Sequence, residues 1–497
     1  MNAAWLPLTT LATSLFAAVI IFSLPEEARR VRTSINLLAA VAKILLVIVM
    51  VGRVSEGYED TFSFQIVGGV DFVLRADALG VMFAGLSSLL WLCTTIYAIG
   101  YLEGAANRKR FFGFFSLCVT STLGVALSGN LFTFLIFYEM LTLSTYPLVV
   151  HAGSAKALAA GRVYLRYTLT AGVVLLLGVV LLYSLTNNHS FASEQGLSPY
   201  LDDHRGLLTL IFALLVGGLA VKAAMVPLHG WLPRAMVAPA PVSALLHAVA
   251  VVKAGAFGIL RVIYDLYGIE LSVELGVTTV LAVAASITII YGSLRAIAQE
   301  ELKPRLAFST ISQVSYVVLG VSLFGPFGTI GALAHLLHQG LMKVTLFFCA
   351  GNYAEELGIH RLDEMDGAGK RMPLTSLAFT VGALGMIGLP PTAGFITKWY
   401  LGMGAIEADM YWVVAVLVAS STLNAIYFLP IVHRLWFREG PAHGKGQWPK
   451  EQSLGRLETH GWLLWPAVLT AVISIGAGLL AGLPFSPLDW ATRVAVG

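Results

Sequence analysis

The sequence predicts an all-α, polytopic membrane protein with fourteen transmembrane helices. Three observations carry that prediction. The 497-residue chain is 57% hydrophobic and only 12% charged, with a mean hydropathy of +0.80, whereas a soluble domain carries about 25% charged residues. Fourteen apolar runs are each long enough for a membrane helix: 4–24, 34–52, 78–102, 111–128, 131–151, 163–186, 207–226, 242–262, 271–296, 305–324, 328–350, 374–400, 410–436 and 461–482. Finally, the cations alternate sides. With Arg29, Arg30 and Arg32 on the cytoplasmic side, 21 of the 31 Lys and Arg residues fall at cytoplasmic edges, five fall outside (Arg53, Arg75, Arg205, Arg261 and Arg493) and five lie within spans. Such an asymmetry satisfies the positive-inside rule. It puts both termini on the outer, periplasmic face of the inner (plasma) membrane.

The elements follow in order. The N-terminus is apolar, with no basic leader and no small-residue cleavage site, so 4–24 reads as a retained first helix. Residues 61–75 alternate apolar and polar around Gly68-Gly69, a hairpin signal between the second and third helices. The first three helices and this hairpin fill 1–110. Helices four to eight occupy 111–262 and helices nine to thirteen 271–436. The stretch 437–460 is the longest polar loop, and 437–497 holds it together with the last helix. Cys93, Cys118 and Cys349 sit far apart in apolar runs, with no CxxC pair, and read as buried structural thiols.

Charges inside spans are costly and mark function. Glu139 is the one clear intramembrane carboxylate. Lys222 closes the seventh span just before Pro227, which cannot continue a helix. A broken helix at membrane depth needs protein or a cavity around it, and its freed carbonyls can hold a cation. Glu139 and Lys222 are therefore expected partners; if they pair, removing one leaves the other buried alone at a cost of roughly 3–5 kcal/mol. Lys253 lies mid-span, with Gly255 and Gly258 nearby to admit close neighbours. His247 shares that span on another face, and its structural and functional readings stand level.

In 328–350, His335, His338, Gln339 and Lys343 occupy one arc of the helix. This polar stripe must face protein or water, and its imidazoles and amine can exchange protons near neutral pH. Ser309, Ser312, Gln313 and Tyr316 form a second stripe, suited equally to ordering water or to bonding neighbouring helices. Pro390-Pro391 and Gly394 break the twelfth span, and Lys398 follows. Two broken helices five spans apart run in opposite directions, the signature of inverted repeats with a transport site between them. Lys43, in the second span, is assigned no role.

Several chemistries are excluded at this level. No Walker motif is present, so ATP does not drive the protein. His335 and His338 have metal-ligand spacing but no accompanying carboxylate, so no metal is expected. Neither haem nor flavin signals occur, no cofactor is expected, and neither a nucleic acid nor a nucleotide partner is implied.

The segments Phe137-Tyr138-Glu139, Lys222 with Pro227, Trp231-Leu232-Pro233, Ala238 to His247, Val252-Lys253-Ala254-Gly255, and Gly388-Leu389-Pro390-Pro391 with Gly394-Phe395 and Lys398 resemble the antiporter-like subunits shared by Mrp-type cation/proton antiporters, respiratory complex I and membrane-bound hydrogenases. The resemblance covers spans two to thirteen. It implies two inverted five-helix repeats with broken seventh and twelfth helices. It also implies a Glu139–Lys222 pair, a linking region at Lys253 and the eleventh helix, and a terminal Lys398. The chain departs from the family pattern at Arg234-Ala235-Met236, where the family often has Asp-Ala-His, and at Gln339, where it often has histidine. Lysine at 398 resembles the Mrp D-type and some complex I subunits.

The reading is thus a proton-translocating, D-like subunit of a multisubunit monovalent cation (Na+)/proton antiporter, working with other membrane subunits. The relay would run through Glu139, Lys222, Lys253 and Lys398, linked by His247, His335, His338 and Lys343. A proton-pumping subunit of a complex I-like or hydrogenase-linked enzyme is the alternative, and a non-conducting scaffold a third.

Overall fold

The computed structural model describes residues 3–102, 104–188, 190–191, 196–440, 448 and 458–496. Among the described residues the regular elements are helices apart from one two-stranded hairpin, as lipid demands, because a helix satisfies its own backbone hydrogen bonds. Among the described residues, eleven helices are long and apolar enough to cross a membrane. The other three expected spans are helical too, with reasons for falling short. Arg108–Ala126 opens on three cations, and Leu302–Val321 carries Lys303, Arg305 and a serine-rich face. The twelfth is divided into Pro373–Ile387 and Ala393–Glu407, 15 residues each, or about 22 Å per piece at 1.5 Å per residue. The polar loop expected at 437–460 falls mostly outside the described residues.

Some helices outrun their apolar signal. Ala155–Thr186 and Pro326–Leu357 are each 32 residues long. The former begins eight residues before the expected 163, where Ser154 accepts a hydrogen bond from the Ala157 amide at 3.1 Å. A side-chain cap of this kind stabilises a polar first turn that hydropathy does not register. A short terminal helix, Pro487–Val496, was not expected. All three cysteines are buried and free.

Two compact units divide the chain. The first comprises Met1–Leu92, Ala105–Ala238 and Val249–Leu281; the second comprises Cys93–Gly104, Pro239–Ala248 and Ala282–Gly497.

Within the first unit, β1 (Asp60–Val67) pairs antiparallel with β2 (Val70–Ala76) across Gly68-Gly69, as the alternation predicts. Phe64 and Phe72 stack cross-strand with centroids 5.0 Å apart, a favourable pairing on a sheet face. The hairpin is fastened at both ends. Asn130 donates to the Asp71 carbonyl at 2.8 Å and accepts from the Thr133 amide at 2.7 Å, capping the helix Leu131–Val149 that carries Glu139. At the other end Asp60 accepts from the Arg53 guanidinium and from the Ala3 amide, the latter at 2.9 Å.

The Arg53 guanidinium holds the Asp60 carboxyl below its usual range, against a smaller opposing effect of burial. A depressed carboxylate contributes stability above its unfolded pKa, about 3.9, and loses it as pH falls through the folded value. Hairpin docking is therefore expected to loosen only below about pH 4. Amide exchange of residues 60–76 should accelerate there, and Asp60→Asn should bring the fast exchange to neutral pH. Protection unchanged by that substitution would refute the pin.

Candidate functional site

Both lysines expected at helix breaks are at helix breaks, but they are held differently. The helix Leu201–Lys222 ends at Lys222 itself, five residues before Pro227, and Ala224 follows in the left-handed region at φ 56°. The Lys222 side chain is fully buried. It donates to the Tyr138 carbonyl, and its Nζ lies 3.3 Å from the Tyr138 ring centroid, a cation–π contact in a dry setting. At the break the Val221 carbonyl accepts both the Ala224 amide at 3.1 Å and the Trp231 indole N–H at 2.7 Å. Gly255 passes directly against this break, and a Cβ there would collide with the Ala223 amide.

Glu139 follows Tyr138 on the same helix. Its half-buried carboxylate lies on Gly172 of the helix Ala155–Thr186, where any side chain would displace it. No hydrogen bond or ion pair joins it to Lys222, and its Oε1 has no hydrogen-bond partner among the described residues. The two charges nevertheless feel one another. The arrangement is not a closed salt bridge: Lys222 touches Tyr138, the residue next to Glu139.

Lys253 is fully buried in Val251–Arg261. The expected single helix around it is irregular: Ala240–Ala244, a wide turn at Leu245–Val249, the helix Val251–Arg261, then another wide turn at Val262–Tyr267. Such π-type turns are rare and often occur at functional sites. His247 sits in the first of them, in the second unit. Its ring lies 4.7 Å from that of Phe347, and neither nitrogen has a hydrogen-bond partner among the described residues.

In the second unit, His335, His338, Gln339 and Lys343 are all fully buried on Pro326–Leu357. His335 Nδ1 lies 3.0 Å from Thr397 Oγ1. Lys343 donates to the Leu306 carbonyl at 3.1 Å and to Ser309 Oγ at 2.7 Å. The serine stripe is engaged by other helices: Ser312 with Ser293 at 2.9 Å, Gln313 with the Met386 carbonyl at 3.5 Å and Tyr316 with Ser420 at 2.6 Å. Interhelix bonding is thus the reading this stripe supports.

At the second break the lysine itself caps the helix. Pro373–Ile387 stops at Gly388, whose φ of 88° suits glycine. Lys398 Nζ donates to the orphaned carbonyls of Met386 and Ile387 at 3.2 and 2.7 Å, and to Ser421 Oγ at 2.9 Å. A cation at a helix C-terminus also meets the negative end of the helix dipole.

Sequence reasoning missed one cluster. Arg261, read as an outer-edge cation, is 2% exposed. It grips Asp77 through two hydrogen bonds of 2.7 Å and Asp265 through one of 2.7 Å. Asp77 directly follows the hairpin, 184 positions away, and no local pattern connects them. Arg234, the departure from the family pattern, is exposed. Lys43 is buried and donates to Ser14 Oγ at 2.5 Å.

Interrupted membrane helices with buried lysines beside the interruptions define a class, the antiporter-type subunits of membrane complexes. Residues 128–424 match the family described as NADH:quinone oxidoreductase/Mrp antiporter, TM, and the chain belongs to that family. NADH-quinone oxidoreductase subunit N of Desulforudis audaxviator (strain MP104C) is 37% identical over 419 residues, covering 83% of this chain and 82% of that one. Hydrogenase-4 component B of Escherichia coli (strain K12) is 33% identical over 346 residues, covering 66% of this chain and 50% of its own length. A chain of the Mrp complex from Dietzia sp. DQ12-45-1b superposes with a TM-score of 0.86 at 26% identity, covering 99% of this chain and 97% of that one.

Proposed function

We propose that this chain is a proton-translocating subunit of a multisubunit monovalent cation/proton antiporter of the Mrp type. It would sit with other membrane subunits in the plasma membrane, both termini outside. The observation that carries the reading is the recurrence of a lysine at a broken helix, once in each compact unit, each amine held by backbone carbonyl oxygen. An amine so held can lose and regain a proton without a salt-bridge partner having to leave. In this reading residues 111–262 and 271–436 are the two repeats. Protons are taken up at Lys222 under the field of Glu139, pass by Lys253, His247 and the His335, His338, Lys343 stripe, and leave from Lys398.

A second reading has its own support, the 37% identity to an NADH-quinone oxidoreductase subunit over most of both chains. There the same relay would be driven by a redox partner. One experiment separates them: the assembled complex in vesicles, assayed for cation/proton exchange under an imposed Na+ gradient and, separately, for proton pumping on addition of a reduced donor and quinone. Glu139→Ala and Lys222→Ala should each reduce proton movement by about 10²-fold or more, the usual scale for removing a proton-transfer group. Transport that survives both substitutions would leave a scaffold as the remaining role.

A further inference from the structure

We propose that Tyr427 and Asn424, on the helix Tyr411–Phe437, form a hydrogen-bonded bridge through which the protonation state of Lys343 controls the hold on Lys398. They act as positioning residues, and the proposal rests on the relay reading above. Five distances define the bridge. Lys343 Nζ lies 2.7 Å from Ser309 Oγ, Ser309 Oγ 3.0 Å from the Tyr427 hydroxyl, and that hydroxyl 2.7 Å from Asn424 Oδ1. Asn424 Nδ2 then donates at 3.1 Å to the Met386 carbonyl, which also receives Lys398 at 3.2 Å.

The donor inventory fixes the direction of these bonds. An ammonium can only donate and an amide oxygen can only accept. Tyr427 is placed to donate to both Ser309 Oγ and Asn424 Oδ1 but has one hydrogen to give. With Lys343 protonated, the Ser309 oxygen already accepts from the ammonium, and the Tyr427 hydrogen goes to Asn424. Neighbouring hydrogen bonds polarise one another, so Asn424 Nδ2–H becomes a better donor and takes more of the Met386 carbonyl. Lys398 then has a weaker grip on that carbonyl, and its protonated form is less favoured.

When Lys343 loses its proton, its lone pair accepts from Ser309. Ser309 accepts from Tyr427 in turn, and Asn424 Oδ1 is left with Ser293 Oγ at 3.5 Å. The amide is then less polarised, and the carbonyl returns to Lys398. No proton crosses Asn424, because an amide does not relay one in its ordinary form. The bridge transmits occupancy, so arrival of a proton on Lys343 promotes release from Lys398.

Other charges face these groups. His247 is within electrostatic reach of both Lys343 and Lys303. Arg305 donates to the Tyr427 carbonyl at 3.0 Å, and Arg434 lies farther along the same helix, paired with Asp366. The Lys398 Nζ lies 5.5 Å from the Tyr316 ring centroid. Among the described residues no carboxylate is a hydrogen-bond partner of either lysine, and Gln313 is a further, longer donor to the Met386 carbonyl at 3.5 Å.

The test is a double-mutant cycle on the assembled complex in vesicles, with Tyr427→Phe, Asn424→Leu and the pair, each assayed for proton movement across pH 6 to 10. If the bridge operates, Tyr427→Phe shifts the pH optimum upward by about one unit, because Lys398 then holds its proton until alkaline pH. Asn424→Leu also shifts the optimum, and the double variant is no worse than the more damaged single. An unchanged optimum in either single, or additive losses, overturns the bridge. Lys398→Met serves as the control. If it retains transport, the relay reading fails and the bridge with it; if it abolishes transport while Tyr427→Phe leaves the optimum in place, the bridge alone fails.

Discussion

Lys398→Met is expected to reduce proton movement by about 10²-fold or more while leaving the protein as stable as before. The stability half follows from two opposing costs. The substitution strips three hydrogen bonds from Lys398 and leaves the Ile387 carbonyl without its ammonium donor, costing about 1–3 kcal/mol. It also removes a cation from membrane depth, which returns about 2.5–3.5 kcal/mol on insertion scales. Met386 keeps Asn424 as a donor at 3.1 Å. The two effects nearly cancel. Cys93, Cys118 and Cys349 are buried, so a thiol-reactive fluorogenic dye reads unfolding in detergent, and its transition should stay in place.

Lys398→Arg sharpens the same prediction. Arginine keeps the charge and can still donate to the Met386 and Ile387 carbonyls, yet it does not release its proton at accessible pH. If Lys398 only caps the broken helix, Lys398→Arg should transport normally. If it exchanges protons, Lys398→Arg should be as inactive as Lys398→Met. An active arginine variant would remove Lys398 from the relay.

The two breaks were visible in the sequence because proline and glycine have local consequences. Pro390-Pro391 cannot continue a helix, and Gly388 adopts a backbone that other residues avoid. The hairpin was equally visible, since alternation around Gly68-Gly69 has one reading. The polar arc from His335 to Lys343 follows from helical period alone, and the helix Pro326–Leu357 keeps it on one face.

What could not be read is which atoms the charges choose. The pattern suggests Glu139 as the partner of Lys222, yet the ammonium takes a carbonyl and a ring from Tyr138, the adjacent residue. Both choices stabilise a cation, and only packing decides between them. The two breaks also look equivalent as sequence and are not. At the first, the Val221 carbonyl takes the Ala224 amide and the Trp231 indole and Lys222 projects elsewhere, whereas at the second Lys398 takes the carbonyls. Trp231 could have been suspected, since a buried indole N–H requires an acceptor. Tyr427 and Asn424 carried no signal, because one hydroxyl and one amide on an apolar helix read as ordinary interhelix bonding.

Arg261→Ala is expected to be strongly destabilising. Arg261 is buried with two carboxylates, Asp77 and Asp265, whose side chains are 11% and 25% exposed. Its guanidinium also lies 5.1 Å from the Phe257 ring centroid. Removing the arginine leaves two like charges facing one cavity without the cation that holds both, and breaking a buried pair in this way costs about 3–5 kcal/mol. The loss should travel to the hairpin, because Asp77 directly follows β2 and its carboxylate also holds the Gly80 amide at 2.7 Å. Dye labelling of the cysteines should occur at lower temperature, and amide exchange across Val70–Ala76 should accelerate. Neutralising the cluster together, as Arg261→Met with Asp77→Asn and Asp265→Asn, should recover much of the loss, since a buried ion cluster often costs as much to desolvate as it returns. If the triple variant is as unstable as Arg261→Ala alone, the cluster's role lies in its specific geometry and not in charge balance.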